Sequence, residues 1–210
     1  MARRADHTRE ELRALALKAA GAITERSGFA GLTARRLAKR IGYSSGTLYN
    51  VFDSFTDLSI QMNGQTLDRL YDAVTIDTIE GRPESILREL AHRYIAFTTR
   101  HANLWAAVLD PSLPRGDKLP EWYQQKMRRL LGLVDEALAP LFGTGREQER
   151  LQSAHLLWSS LHGICSLVNV RMLITAQAAI GMADLLIDTY LTGLRQRLPL
   201  FPSPLVGEGG

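Results

Sequence analysis

Apolar residues recur at three- and four-residue steps along almost the whole chain of 210 residues, and this spacing constrains the fold more than any other feature. In the first segment, for example, Leu12, Ala16 and Ile23 fall on one face of a helix. No stretch shows the alternation of apolar and polar residues that is typical of a β-strand. The pattern therefore predicts an all-α protein of about nine helices.

Residues that begin or end helices divide the first part of the chain into three short helices and the start of a fourth. A Ser, Thr or Asp side chain caps a helix start, and a glycine often follows a helix end. The predicted starts are at Thr8, Thr33, Ser44 or Ser45, and Ser54, and the predicted ends are at Gly28 and Gly42. Later helices are predicted from residue 83 onward and over residues 103–109, 121–138, 147–174 and 181–197.

Charge is distributed unevenly along the chain. The formal net charge is only +3. Residues 1–52, however, hold ten basic and four acidic side chains, a net charge of +6, which leaves −3 for the rest. A basic N-terminal part on a mildly acidic body indicates a polyanionic partner for the first part alone, although a solvated charged surface would give the same count.

Several classes of protein are excluded by composition. One cysteine, Cys165, rules out a disulfide framework and a Cys-based structural zinc site, and it is typical of a reducing compartment. The N-terminus is polar and has no apolar signal-peptide run. The longest apolar stretch, residues 156–183, is interrupted by His162, Asn169 and Arg171, so we expect no membrane span and a cytoplasmic location.

Residues 33–52 have the pattern of a helix-turn-helix, two short helices joined by a tight turn with glycine. Apolar Leu37, Ile41 and Leu48 are spaced to share a core with the first helix, which leaves short polar side chains outward on the second. Basic side chains on the first of the two helices are expected at the DNA backbone or a base edge. The candidate DNA contacts are Thr33, Arg35, Arg36, Ser44, Ser45, Gly46, Thr47, Tyr49 and Asn50.

The same segment carries a family resemblance. The run Leu37-Ala-Lys-Arg-Ile-Gly-Tyr-Ser44, followed by Gly46-Thr-Leu-Tyr49 and Phe52, makes residues 9–62 similar to the DNA-binding domain of TetR-family bacterial regulators. The resemblance implies a homodimeric, ligand-responsive transcription factor, usually a repressor, that binds a palindromic operator and an unidentified small-molecule effector. It also implies that Tyr49 contacts a phosphate.

We accordingly expect three regions along the chain. Residues 1–53 would form the DNA-binding domain, with the helix-turn-helix at 33–52, and residues 54–198 a helical domain for effector binding and dimerisation. Residues 199–210 contain Pro202 and Pro204, have no periodicity, and are predicted to be a flexible tail.

The segment departs from the family pattern at two positions. Where many members have a histidine and a lysine, this chain has Val51 and Phe55. Since that lysine usually meets a phosphate, its absence should flatten the salt dependence of DNA binding by roughly one unit per half of a dimer.

Effector-binding residues are harder to identify. Aromatic and soft side chains in the second part of the chain are candidates for the lining of an apolar cavity, although each is also an ordinary bundle-core residue. Residues 158–163 resemble a Trp-x-x-x-His-Gly signature of one TetR subgroup, in which His162 would hold a neighbouring helix or recognise an effector. The candidates are Met62, Tyr94, Phe97, Trp105, Met127, Trp158 and His162.

The last two long helices are the candidates for a dimer interface, because small and apolar residues let helices approach closely. Packing within one chain would use the same kinds of residue. The predicted interface residues are Ser159, Gly163, Ser166, Val170, Leu186, Tyr190, Gly193 and Leu194.

Catalysis is not expected. His162 and Cys165 lie three residues apart on one helix, but no third group to orient the histidine is evident. The remaining histidines lack the paired spacing of a metal site, so we expect no cofactor and no metal. The alternative function is an all-helical enzyme or small-molecule carrier whose first helices only resemble a DNA-binding domain.

Overall fold

A computed structural model describes residues 7–75, 81–169 and 175–197. Within these ranges the chain forms nine α-helices and three short 3-10 turns, and no strand, which confirms the prediction of an all-α fold. The helices are α1 (Arg9–Ser27), α2 (Ala34–Ile41), α3 (Ser45–Tyr49), α4 (Phe55–Val74), α5 (Pro83–Arg100), α6 (Ala102–Val108), α7 (Glu121–Leu138), α8 (Glu147–Asn169) and α9 (Ala176–Arg197).

Predicted caps begin the first three helices. At α1, the Thr8 hydroxyl accepts the Glu11 N–H at 3.2 Å, and the Glu11 carboxylate accepts the Thr8 N–H at 2.8 Å, which makes a complete capping box. Thr33 caps α2, and Ser44, rather than Ser45, caps α3. Each cap satisfies N–H groups that the helix itself leaves without acceptors.

The start of α4 differs slightly from the predicted capping box. The Ser54 hydroxyl accepts the Asp57 N–H at 3.0 Å, as expected. The Asp57 carboxylate, however, accepts the N–H of Asp53 at 3.2 Å instead of that of Ser54. The reciprocal bond is therefore displaced by one residue toward the N-terminus.

Helix α9 begins five residues earlier than its apolar pattern predicted. The Thr175 hydroxyl accepts the Ala178 N–H at 3.1 Å and starts the helix before Ala176. The first turn, Ala-Gln-Ala-Ala, has good helix formers but little periodicity, and Gly181 lies inside the helix. The predicted end of α8 at residue 174 and the predicted tail at 199–210 lie outside the described residues.

The chain divides into two compact units. The head unit contains the described residues 7–72 and 100–127, and the body unit contains 73–75, 81–99, 128–169 and 175–197. The head unit extends past the predicted domain boundary at residue 53, because Leu58 and Met62 of α4 and Ala107 of α6 complete its core. The buried Asn63 side chain also donates to the Ala107 carbonyl at 2.8 Å.

In the body unit, α8 packs against α9, and α5 is joined to α9 by charged side chains. Arg88 pairs with Asp188, and the His92 ring lies 2.8 Å from the Asp184 carboxylate. Glu84 pairs with Arg195 further along the same two helices. Across the described parts of both units, no helix is long and apolar enough to cross a membrane.

Candidate nucleic-acid interface and ligand cavity

Helices α2 and α3 form a helix-turn-helix in the head unit. Gly42 ends α2 with φ 79° and ψ 22°, a left-handed conformation that glycine adopts without steric cost. The Tyr43 N–H closes the turn by donating to the Ala38 carbonyl at 2.9 Å. Leu37 and Leu48 are buried with 0% and 2% of their surface exposed, so the two helices share one core with α1.

The far end of α3 is fixed to α1 by Arg13. Its guanidinium donates to the Val51 carbonyl at 2.9 Å and lies 5.6 Å from the centre of the Phe52 ring. Val51 and Phe52 are themselves buried in the core of the head unit. Since a five-residue helix is not stable alone, this anchoring determines the orientation of α3.

Most of the predicted DNA contacts are exposed side chains or backbone. Arg35 on α2 is exposed beside Lys39 and Arg40, so this short helix carries several unburied positive charges. Tyr49 is 54% exposed at the end of α3, an unusual position for a large ring. Thr33, Ser44, Gly46 and Asn50 are also exposed, and Ser45 and Thr47 are half-buried.

Some of the predicted contact residues already have partners within the head unit. Arg36 donates to the Gly31 carbonyl and to the Ser27 hydroxyl, both at 3.0 Å, and thereby ties α2 to the end of α1. The Ser44 hydroxyl caps α3 and lies 2.9 Å from the Thr47 hydroxyl. These side chains hold the helix-turn-helix together, whatever else they contact.

Gly46 is not required by the fold. It lies in the first turn of α3 with a helical backbone, where a Cβ would meet only the Ser44 hydroxyl at an ordinary 3.7 Å. A side chain would therefore fit against the protein, and a larger residue at this position would extend outward from the exposed surface.

The two departures from the family pattern are explained by burial. Val51 is 2% exposed, and Phe55 packs against the core of the head unit. Both positions thus contribute apolar area to the support of α3 and α4, where many family members place a charged or polar group.

The contact between His7 and Tyr43 was not predictable from the sequence. The His7 Nδ1 lies 2.8 Å from the Tyr43 hydroxyl, and the two rings meet edge to face. The residues are 36 positions apart, and neither belongs to a periodic pattern. The contact holds the chain just before α1 beside the turn between α2 and α3.

The body unit contains an apolar cavity that is partly open to solvent. Two predicted effector residues, Tyr94 and Trp158, line it with their ring centres 4.9 Å apart and their planes tilted by 60°. Helices α4, α5, α7, α8 and α9 all contribute to the lining, which consists of Val74, Leu87, Leu90, Ala91, Tyr94, Leu130, Leu133, Val134, Leu157, Trp158, Leu161, Ala183, Leu186 and Ile187.

His162 contacts one residue of this lining. Its Nδ1 lies 3.1 Å from the Tyr94 hydroxyl, and its Nε2 lies 3.4 Å from the Ser166 hydroxyl. Burial lowers the pKa of His162 below its ordinary value, because an imidazolium loses hydration there. Phe97 is also buried in the body unit, but it does not belong to the cavity lining.

The other three predicted effector residues belong to the head unit. Met62 is buried in the head core, and its sulfur accepts a hydrogen bond from Thr24 at 3.4 Å. Trp105 is buried with 2% of its surface exposed, and Met127 is half-buried. The structure therefore does not bring these three residues to the cavity.

Cys165 and His162 do not have the properties of a nucleophilic pair. Burial raises the pKa of the Cys165 thiol, against a smaller opposing effect of a hydrogen bond with Thr98, and a protonated thiol is a poor nucleophile. The two nitrogens of the His162 ring contact the Tyr94 and Ser166 hydroxyls. Among the described residues, no three His, Cys, Asp or Glu side chains are placed to hold a metal ion.

The predicted dimer residues divide by helix. On α8, Ser159, Gly163 and Ser166 are exposed, as an interface requires. On α9, Leu194 is buried and Leu186 lines the cavity, so both face the interior of the body unit. Tyr190 and Gly193 are half-buried, and Val170 lies outside the described residues.

The exposed apolar face of α9 is displaced from the predicted one. Leu185 is 67% exposed and Met182 is 41% exposed. On α8, Leu156 is 54% exposed and Leu167 is 40% exposed, next to the small residues already named. A helix that packs on both sides has two apolar stripes. The apolar periodicity of α9 identified the inward stripe and missed the exposed one.

Comparisons with known proteins agree with this architecture. A curated relative, the uncharacterized HTH-type transcriptional regulator YobS of Bacillus subtilis, is 24% identical over 176 residues, which are 84% of this chain and 88% of YobS. A Rhodococcus protein of unknown function has a similar structure, with a TM-score of 0.73, 22% identity and coverage of 92% of this chain and all of that one. A TetR transcriptional regulator from the same organism gives a TM-score of 0.67 and 20% identity over 89% of this chain and all of the other.

Structural likeness at these identities shows the fold alone, and two family models are more specific. The model of bacterial regulatory proteins of the tetR family matches residues 16–61, which contain α2 and α3. The model of the tetracyclin repressor-like C-terminal domain matches residues 87–190, which contain most of the cavity lining. The chain belongs to the TetR family and is a DNA-binding transcriptional regulator.

Proposed function

We propose that this chain is a cytoplasmic, homodimeric repressor that binds a palindromic operator and is released from it by a small-molecule effector. The observation that supports DNA binding best is the exposed surface of α2 and α3. Its basic and short polar side chains point outward, while Arg13, Leu48 and Phe52 hold the helices from behind. A helix supported in this way and free on its outer face is suited to a major groove.

The roles of the individual residues follow from their present partners. Arg35 and Tyr49 are exposed and would contact phosphates, and Thr47 and Asn50 would approach base edges. Gly46 would let the backbone approach the DNA closely. Arg36 and Ser44 would act chiefly by holding α2 and α3 in place. Thr33 and Ser45, at the starts of these helices, would lie near the DNA backbone.

A second copy of the chain is the proposed partner of the exposed face of α8 and α9. Leu156 and Leu167 on α8, with Met182 and Leu185 on α9, expose apolar area that association would remove from water. To bind a palindromic operator, a twofold dimer would need its two helix-turn-helix motifs about 34–36 Å apart, which is one turn of DNA. Leu156→Glu together with Leu185→Glu should yield monomers in sedimentation velocity, whereas the exposed change Gln152→Glu should not.

Helix α4 is the proposed route from effector to operator. Its residues Leu58 and Met62 belong to the core of the head unit, and its last residue, Val74, lines the cavity of the body unit. A ligand that favours one position of Val74 thereby favours one position of the helix that supports α3. Operator affinity and effector affinity are then linked and must change by the same factor.

DNA binding is tested by selecting bound sequences from random DNA and measuring affinity for the selected site by fluorescence anisotropy at several salt concentrations. The logarithm of affinity should fall with the logarithm of salt concentration, and Arg35→Ala should reduce the slope by about one unit per subunit. Arg26→Ala is the matched control, because it removes an exposed charge from the last turn of α1, outside the helix-turn-helix. It should leave the slope unchanged. A folded dimer that selects no sequence would refute the proposal.

A further inference from the structure

We infer that the cavity of the body unit takes an uncharged, mainly apolar ligand and discriminates against carboxylates and ammonium ions of the same carbon skeleton. The inference rests on the proposed function only in calling this ligand the effector. The cavity and its selectivity are properties of the body unit and are measurable without DNA.

The lining carries the argument. Of the fourteen described residues that surround the cavity, twelve have aliphatic side chains, and the other two are Tyr94 and Trp158. None of them is Asp, Glu, Lys, Arg or His. An ionised ligand group would therefore lose its hydration without gaining an opposite charge from the lining, which is the most costly kind of burial in a protein.

A titratable group that contacts the lining does not alter this conclusion. The His162 Nδ1 lies 3.1 Å from the hydroxyl of Tyr94, and burial lowers the pKa of the imidazole. The ring is accordingly uncharged at neutral pH and supplies no cation for a carboxylate.

Several charged side chains of α5 are paired with side chains of α9. Arg88 of α5 bonds Asp188 of α9, and His92 bonds Asp184. Glu84 and Arg195 form a further pair between these helices. Charged residues thus lie close in sequence to residues of the cavity lining. Their side chains join α5 to α9, and the apolar residues between them in the sequence form the lining.

The test uses three probes that share one ten-carbon chain, namely 1-decanol, decanoate and decylammonium. Each displaces the neutral fluorescent probe N-phenyl-1-naphthylamine from the full-length protein at pH 7.5, without DNA. Decanol should bind most tightly, and each ion should bind about a hundredfold more weakly or worse, because its charge must be desolvated. Equal or tighter binding of either ion would overturn the inference.

A charge placed in the lining makes the test specific to this cavity. Leu161→Arg puts a cation at the half-buried edge of the cavity and should reverse the preference, so that decanoate binds more tightly than decanol. Gln152→Arg adds the same charge to an exposed position of the same helix and should keep the preference of the unchanged protein. An unchanged preference in a folded Leu161→Arg protein would show that the probes bind elsewhere and would overturn the inference.

The failure of the proposed function is distinguishable from the failure of this inference. If decanol binds more tightly than both ions in the displacement assay but leaves operator binding intact at saturation, the proposed ligand class is supported and the release mechanism fails. If decanoate binds as tightly as decanol and releases the operator, the release mechanism stands and the ligand class is wrong.

Discussion

Replacing Gly46 by alanine should separate DNA binding from folding. In the structure, the added Cβ meets only the Ser44 hydroxyl at 3.7 Å, so it introduces no clash within the protein. Alanine is favoured over glycine inside a helix by about 0.5–1 kcal/mol. Gly46 lies in the first turn of α3, so this value is the upper limit of the stabilisation there. The stability of the Gly46→Ala protein should therefore stay the same or rise by up to about 1 kcal/mol, which is about 2–4 °C in Tm.

The same methyl group should weaken operator binding. It projects from an exposed position of α3, where it would hold the helix away from the groove. A loss similar to that of one mismatched base pair, about 1–3 kcal/mol per half-site, corresponds to at least about a tenfold loss of affinity.

The measurement combines thermal unfolding by circular dichroism with anisotropy titrations of the selected operator. Gly21→Ala is the matched control, because Gly21 also lies in a helix of the head unit and its Cβ would meet nothing within 4 Å. It should gain stability and keep full affinity. If Gly46→Ala unfolds at a lower temperature, or binds the operator as tightly as the unchanged protein, our explanation of this glycine is refuted.

Three further perturbations have expected outcomes. Ser44→Ala should lower stability by about 1 kcal/mol in denaturant titrations, because the Thr47 N–H loses its acceptor, and Ser44→Asp should restore most of the loss; no recovery would contradict the capping role. Gly64→Ala should displace the Trp122 ring, which would lie 2.6 Å from the new Cβ, and shift tryptophan emission to longer wavelength; the shift should vanish in a Trp122→Phe background, and its persistence there would count against this contact. The folded-state pKa of His162 lies below the ordinary value of 6.5, so the unfolded chain binds the proton more tightly, and stability should fall as pH is lowered through 6.5 and below. His162→Gln should flatten this part of the stability–pH curve. An unchanged curve would exclude His162 as the cause of the pH dependence.

Features that depend on neighbours in sequence were predictable. The caps at Thr8, Thr33 and Ser44 follow from residue types within one helical turn, and the structure confirms them. The turn at Gly42 follows for the same reason, since only the local backbone determines whether a left-handed residue is needed. The all-α fold and the helix-turn-helix are built from such local signals.

Features that depend on which helices meet were not predictable. Met62 and Trp158 are both large apolar residues of long helices, and nothing in their neighbourhoods assigns one to the head core and the other to the cavity. The exposed face of α9 was missed for a related reason, since Leu185 and Leu186 are adjacent and only tertiary packing decides which one faces solvent. Periodicity identifies the apolar faces of a helix but not their partners.

The anchoring of α3 has a consequence for engineering the protein. The side chains that hold this helix from behind, Arg13, Leu48 and Phe52, are different from those at positions 45, 47 and 50, of which Asn50 is exposed and Ser45 and Thr47 are half-buried. Because none of these three positions belongs to the core of the head unit, they form a small library that can be varied without removing the support. New operator specificities should therefore be obtainable by randomising them alone, with Ser44 and Gly46 left unchanged.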